Sequence, residues 1–238
     1  MNRTIAYVTF RGMLGRRRAL LLFALPALLL VLAVALRATG NNDLDISTVV
    51  LQRFALGTVL PLLGLIAGTG VIGPEIDDGQ IMYILTKPIS RSVIITTKLA
   101  VAIALIIGFG VIPTLVAGLI LTGTLAQLAV AFAVAVLVGG TAYCAVFVAL
   151  AVYSRFAVTI GLMYALIWES LIGNFAPGAK NLSIQQWSLA IAKSLTSATA
   201  VKADISLGAA VVLLIIVSAV GTLLATTRLR TLSVTSAD

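Results

Sequence analysis

Residues 73–98 read GPEIDDGQIMYILTKPISRSVIITTK. Charge, glycine and proline crowd together here, and the chain on both sides is apolar. Residues 54–74 carry no charged side chain, and neither do the 56 residues of 99–154. About 20 apolar residues suffice for a helix to cross the bilayer core. The first run is therefore one crossing. The second is too long for one and suits a hairpin, with Thr122, Gly123, Thr124 and Gln127 at its turn. The whole chain is 61% hydrophobic and 10% charged, with mean hydropathy +1.15, whereas a soluble domain carries about 25% charged residues. The period-two alternation of a membrane barrel is absent. These features predict an all-α polytopic membrane protein, with residues 1–238 forming a single domain.

Six spans are predicted, near 19–36, 54–73, 99–121, 128–152, 156–173 and 206–227. Before the first, Tyr7, Phe10 and Leu14 recur at helical spacing, offset from Arg3, Arg11, Arg16, Arg17 and Arg18. This pattern over 1–18 fits an amphipathic helix in the membrane interface better than a disordered basic tail, because aromatic residues suit an interface. The 18 uncharged residues of 19–36 exceed the usual h-region of a signal peptide, and more spans follow. Residues 37–53 read as a polar loop. Gly64 and Gly68 have the spacing that lets another helix approach closely. Pro26, Pro61 and Pro113 each fall inside a span and mark kinks.

The fifth span meets Glu169 after 13 residues, about 20 Å along a helix. That places the carboxylate toward the far interface, where Gly173, Asn174, Pro177 and Gly178 follow. An ionisable residue in a span is a candidate pathway residue. The bland alternative is a solvated carboxylate, or one bonded to Trp168 or Lys180. Residues 174–204 read as an extracytoplasmic segment. Within it, Ser183 and Gln186 form a capping-box pattern, and Ile184, Trp187, Ile191 and Leu195 give one apolar stripe. A helix resting on or dipping into the outer interface is expected.

Six spans put both termini on one side. That side holds eleven basic residues: Arg3, Arg11, Arg16, Arg17, Arg18, Lys87, Arg91, Lys98, Arg155, Arg228 and Arg230. The other holds five: Arg37, Arg53, Lys180, Lys193 and Lys202. Cytoplasmic loops collect Lys and Arg, so both termini and 73–98 are expected in the cytoplasm. The same rule explains the net charge of +8 without nucleic acid.

Catalytic constellations are missing. The chain has no histidine and one cysteine, Cys144, so imidazole ligands, Ser-His dyads and an internal disulfide are excluded. There is no Gly-x-x-x-x-Gly-Lys-Ser/Thr phosphate loop. What 73–98 does offer is a short docking helix. Glu75, Asp77 and Asp78 suit a helix's first turn, Ile81, Met82, Ile84 and Leu85 supply an apolar face, and Pro88 stops it after Lys87. The plainer alternative is a polar loop whose charges only enforce topology.

The order Glu75, Gly79, then Leu85-Thr86-Lys87-Pro88-Ile89-Ser90-Arg91 and Lys98, between spans two and three of six, resembles the permease subunits of type-2 ATP-binding-cassette (ABC) transporters. The motif covers about 25 residues, while the six-span layout and basic N-terminal helix extend the likeness over the chain. The resemblance implies a dimeric membrane domain, paired with a second copy or a similar permease and docked on two ABC ATPase subunits. ATP and Mg would be bound by those partners, with no cofactor in this chain. It makes 74–92 the coupling segment, with Glu75, Gly79, Leu85, Lys87, Pro88, Arg91 and Lys98 at the matching positions. Asp77 and Asp78 are added from the same segment, although the acidic pair departs from the family's mixed charges. The lipid bilayer of a bacterial plasma or inner membrane is the implied location, export the implied direction, and no enzyme activity is implied for this chain.

An ion-coupled secondary transporter would need an intramembrane ionisable site and often internal repeats. Glu169 is the one acid within a predicted span, and no repeat is visible. A membrane-embedded protease lacks its histidine or paired acids, whereas a non-transporting assembly protein is compatible with composition alone.

Overall fold

Apolar runs in a membrane must satisfy their own backbone hydrogen bonds, and a helix does so within one segment. The computed structural model describes residues 3–15, 18–40, 44–79, 90–123, 126–172, 182–196, 201 and 203–231, and among them only helices and their connections occur. In chain order these are α1 (Arg3–Leu14), α2 (Arg18–Ala38), α3 (Leu44–Asp77), α4 (Arg91–Thr122) and α5 (Ala126–Tyr153). They are followed by α6 (Ala157–Met163, continued as a wider helix over Tyr164–Ile172), α7 (Ile184–Leu195) and α8 (Leu207–Thr231). Helices α2, α3, α4, α5 and α8 are each long and apolar enough to cross a bilayer, while the apolar part of α6, Ala157–Glu169, is shorter.

The polar loop expected over 37–53 is largely helical. Helix α3 starts at Leu44, with Asp45 in its first turn, where a carboxylate meets the positive end of the helix dipole. Ser47, Thr48 and Leu51 are buried there. Pro61 and Pro113 do not break their helices. A proline ring clashes with the carbonyl four residues earlier, which belongs to Gly57 and Phe109. Both lie in stretches of wider, π-type turns, Val50–Val59 and Ile107–Val111, and a wider turn carries that carbonyl away from the ring.

Helix α5 is the axis of the bundle and touches every one of α3, α4, α6, α7 and α8. Small residues permit this. Ala129, Ala131, Ala135, Gly139, Gly140, Ala142 and Ala145 are all buried along it. The close approach to α3 depends on glycine. A Cβ added to Gly64 would lie 2.6 Å from Tyr143 Cβ, and one added to Gly68 would lie 2.7 Å from Phe147 Cβ. Helix α2 leaves Leu20, Phe23, Leu28 and Val31 exposed, and α8 leaves Val212, Ile215 and Leu223 exposed. These are faces for lipid.

Helix α7 does not rest on the surface of the bundle, the first of the two arrangements expected for it. Every residue from Ile184 to Ala192 is buried, including Gln185, Gln186 and Ser188. It is wedged between α3, α5 and α8. Its Ser188 packs on Gly139, and its N-terminal end meets Tyr143, so α7 runs antiparallel to α5.

Candidate functional site

The described part of 73–98 begins where α3 ends. Pro74 sits in the first turn of the short closing helix Gly73–Asp77, where its missing N–H costs nothing. Asp78 N donates to Pro74 O at 3.0 Å and Gly79 N to Ile76 O at 3.1 Å. Gly79 then turns the chain with φ +68°, a conformation that suits glycine. Its neighbours Asp77 and Asp78 are exposed. Asp77 lines a small cleft of about 20 Å³ with Ser154 and Arg155, from the connection between α5 and α6. The chain re-enters at Ser90, and Arg91 opens α4. Leu85, Lys87 and Pro88 lie outside the described residues.

Lys98, two turns into α4, draws these flanks together. Its side chain is fully buried (0% exposed), while that of Glu75 keeps 19% exposure. Nζ donates to Glu75 Oε1 at 2.6 Å, to Val71 O at 2.7 Å and to Thr9 Oγ1 at 3.4 Å. An ammonium has three protons to give, and all three are used. The Val71 carbonyl sits where α3 turns into its last short helix, a place where helix carbonyls lose their own partners. Thr9 belongs to α1, whose Met13 packs on Gly70. One cation thus joins α1, the end of α3 and the start of α4. Glu75 Oε2 is buried and has no hydrogen-bond partner among the described residues.

A second polar cluster surrounds Glu169, whose side chain is 0% exposed. Its Oε2 accepts from Ser183 Oγ, and its Oε1 accepts from Ile184 N at 3.2 Å and Tyr164 OH at 3.0 Å. Ser183 Oγ in turn accepts from Gln186 N at 3.3 Å, so the capping expected at this serine is present. The carboxylate closes the N-terminus of α7, where free N–H groups and the helix dipole favour an anion. The buried Tyr143 hydroxyl lies close enough to interact with it electrostatically.

A family model described as ABC-2 family transporter protein matches residues 14–172. The chain belongs to the ABC-2 transporter family. The match runs from the end of α1 through α6 and includes both polar clusters except Thr9 and Ser183–Ile184. No curated protein matches the sequence. Membership makes this a multi-pass permease domain in a membrane, of a kind that works with an ABC ATPase.

In this ABC-2 permease the described residues among the expected coupling positions divide into two groups. Glu75 and Lys98 are in direct contact. Asp77, Asp78, Gly79 and Arg91 stand on the same flanks, though of these only Asp77 lines a cleft with another loop. Glu169 belongs to a separate cluster and is buried, not solvated. It is level with Tyr143, ten residues or about 15 Å along α5 from the Tyr153 end.

Sequence reading missed Thr9, the Val71 carbonyl, Tyr143 and Tyr164. The stripe Tyr7, Phe10 and Leu14 is exposed, while Thr9 and Met13 are buried. The spacing of Ile5, Thr9 and Met13 was a usable signal for the packed face. Nothing local marked the two tyrosines.

Proposed function

We propose that this chain is the membrane-embedded subunit of an ATP-driven ABC exporter, with both termini and residues 74–92 in the cytoplasm. Two copies of a separate ATPase subunit bind ATP and Mg and press on that segment. A second permease, identical or similar, completes the translocation pathway, and α1 lies in the interface of a bacterial plasma or inner membrane. The observation that carries this reading is the Lys98 network. Because Glu75, Val71 and Thr9 share one buried ammonium, the two flanks of the segment and α1 form one unit. A displacement of residues 79–90 then moves α3 and α4 together instead of bending a loop. Asp77, Asp78, Gly79, Leu85, Lys87, Pro88 and Arg91 form the contact with the ATPase in this proposal. Glu75 and Lys98 pass the motion on.

The test is copurification of a nucleotide-binding chain, followed by substitution of Glu75→Ala with Arg91→Ala. The expected result is an assembled complex that hydrolyses ATP but no longer transports. Full ATP-driven transport by the double variant would overturn the coupling assignment. Transport that survives ATP depletion but collapses with the proton gradient would favour a secondary transporter instead.

A further inference from the structure

A cavity of about 590 Å³ opens between α5, α6 and α8, and Tyr164, which lines it, donates its hydroxyl to Glu169. Three stripes line it, each at helical spacing. Leu150 and Tyr153 come from α5, Ile160 and Tyr164 from α6, and Val217, Val220 and Leu224 from α8. All three point toward one end of the bundle. On α8 the stripe continues one turn beyond Leu224 to Arg228, whose guanidinium carbon lies 5.5 Å from the centre of the Tyr153 ring. Arg228 is exposed. The apolar slot thus ends beside one cation held over the ring of a lining tyrosine.

We propose that this cavity holds one acyl chain of an anionic phospholipid, with its phosphate at Arg228. Inside a bilayer a concave apolar surface is filled by hydrocarbon, so the chain is the natural occupant of the slot. The headgroup is set by charge. Basic pockets between membrane helices recruit anionic headgroups, and guanidinium binds phosphate through paired N–H donors. Arginine stacked on tyrosine keeps those donors at the slot's mouth. The site lies between helices of one chain and does not depend on which cargo the transporter moves.

Full-length protein is to be extracted from vesicles of equal phosphatidylglycerol and phosphatidylcholine, and the lipid that remains bound read by native mass spectrometry. Wild type is expected to retain phosphatidylglycerol in preference to phosphatidylcholine. Arg228→Gln is expected to lose that preference, and Val220→Trp, which fills the slot, to lose bound lipid of both kinds. Thermal unfolding in detergent identifies any variant that is simply misfolded. Equal retention of both lipids by wild type, or unchanged retention by Val220→Trp, would overturn the assignment. A second copy as occupant is tested with Val220→Cys in a Cys144→Ala background. An intermolecular disulfide formed in the membrane would also overturn it, whereas protection from crosslinking supports it.

Discussion

At Lys98 the cost of burying a charge is met by three acceptors from two other helices. Removing one partner of a buried ion pair typically costs about 3–5 kcal/mol, because the other charge is left without compensation. Glu75 is partly exposed, so water screens part of that penalty. Lys98→Met is therefore expected to destabilise the protein by about 2–3 kcal/mol, with the Val71 carbonyl also left unpaired. Adding Glu75→Gln removes the stranded charge. The double variant should be less destabilised than the two losses summed, by about 1 kcal/mol or more, in thermal or denaturant unfolding in detergent. Simple additivity would show that the pair does not act as a unit. Glu169 poses a different question, since it serves as a cap. Glu169→Gln keeps an oxygen for Ile184 N and Tyr164 OH and is expected to cost about 1 kcal/mol. Glu169→Ala strands those two donors and Ser183 in the interior, and about 3 kcal/mol or more is expected. Equal losses for the two variants would mean that the carboxyl is not what holds the end of α7.

At the scale of elements, α7 shows what sequence could and could not tell. Its start was legible, because Ser183 and Gln186 have the spacing of a cap and Ser183 does accept from Gln186 N. Its depth was not. Gln185, Gln186 and Ser188 gave it a polar face, and polar faces ordinarily meet water. Here Ser188 Oγ donates back to Ile184 O at 2.8 Å and Gln185 Nε2 to Gln52 O at 3.4 Å, so two of these groups find partners without solvent. Residues 73–98 were legible as a polar segment for the opposite reason. Charge stands out in an apolar chain, and it marks Glu75 and Lys98. What made Lys98 bind Val71 and Thr9 was a fold-level event, the packing of α1 across the ends of α3 and α4. The seat of α7 can be tested where it meets α5. A Cβ added to Gly139 would lie 2.1 Å from Ser188 Oγ and 3.1 Å from Ser188 Cβ. Gly139→Val is expected to cost about 1–3 kcal/mol, the usual range for overpacking. Adding Ser188→Gly should recover part of it, as read by the unfolding midpoint. No recovery would place the clash elsewhere.

For the whole molecule, run length and charge made the helical bundle legible, but one predicted span is built differently from the others. The apolar runs of α2, α3, α4, α5 and α8 are each long enough alone. The remaining one divides. Helix α6 starts beside the Tyr153 end of α5 and brings Glu169 to the level of Tyr143. Helix α7 starts from that same level, since Ile184 N binds Glu169, and runs antiparallel to α5 toward its Ala126 end. Broken helices are tolerated at membrane depth where protein surrounds the break, and the capped Glu169 junction supplies that surrounding. If α6 and α7 together carry the chain across, the crossings number six and both termini share a side. Arg228 lies over Tyr153, so α8 ends beside the end of α5 where α6 begins. The charge distribution agrees with six, because Arg228 and Arg230 close α8 and basic residues collect on the cytoplasmic side. Single cysteines in a Cys144→Ala background test that path. With a membrane-impermeant maleimide on intact cells, Thr39→Cys and Ser206→Cys are expected to label from outside. Asp78→Cys and Thr231→Cys should label only after the membrane is opened. Labelling of Thr231→Cys on intact cells, with Ser206→Cys protected, would overturn the six-span path.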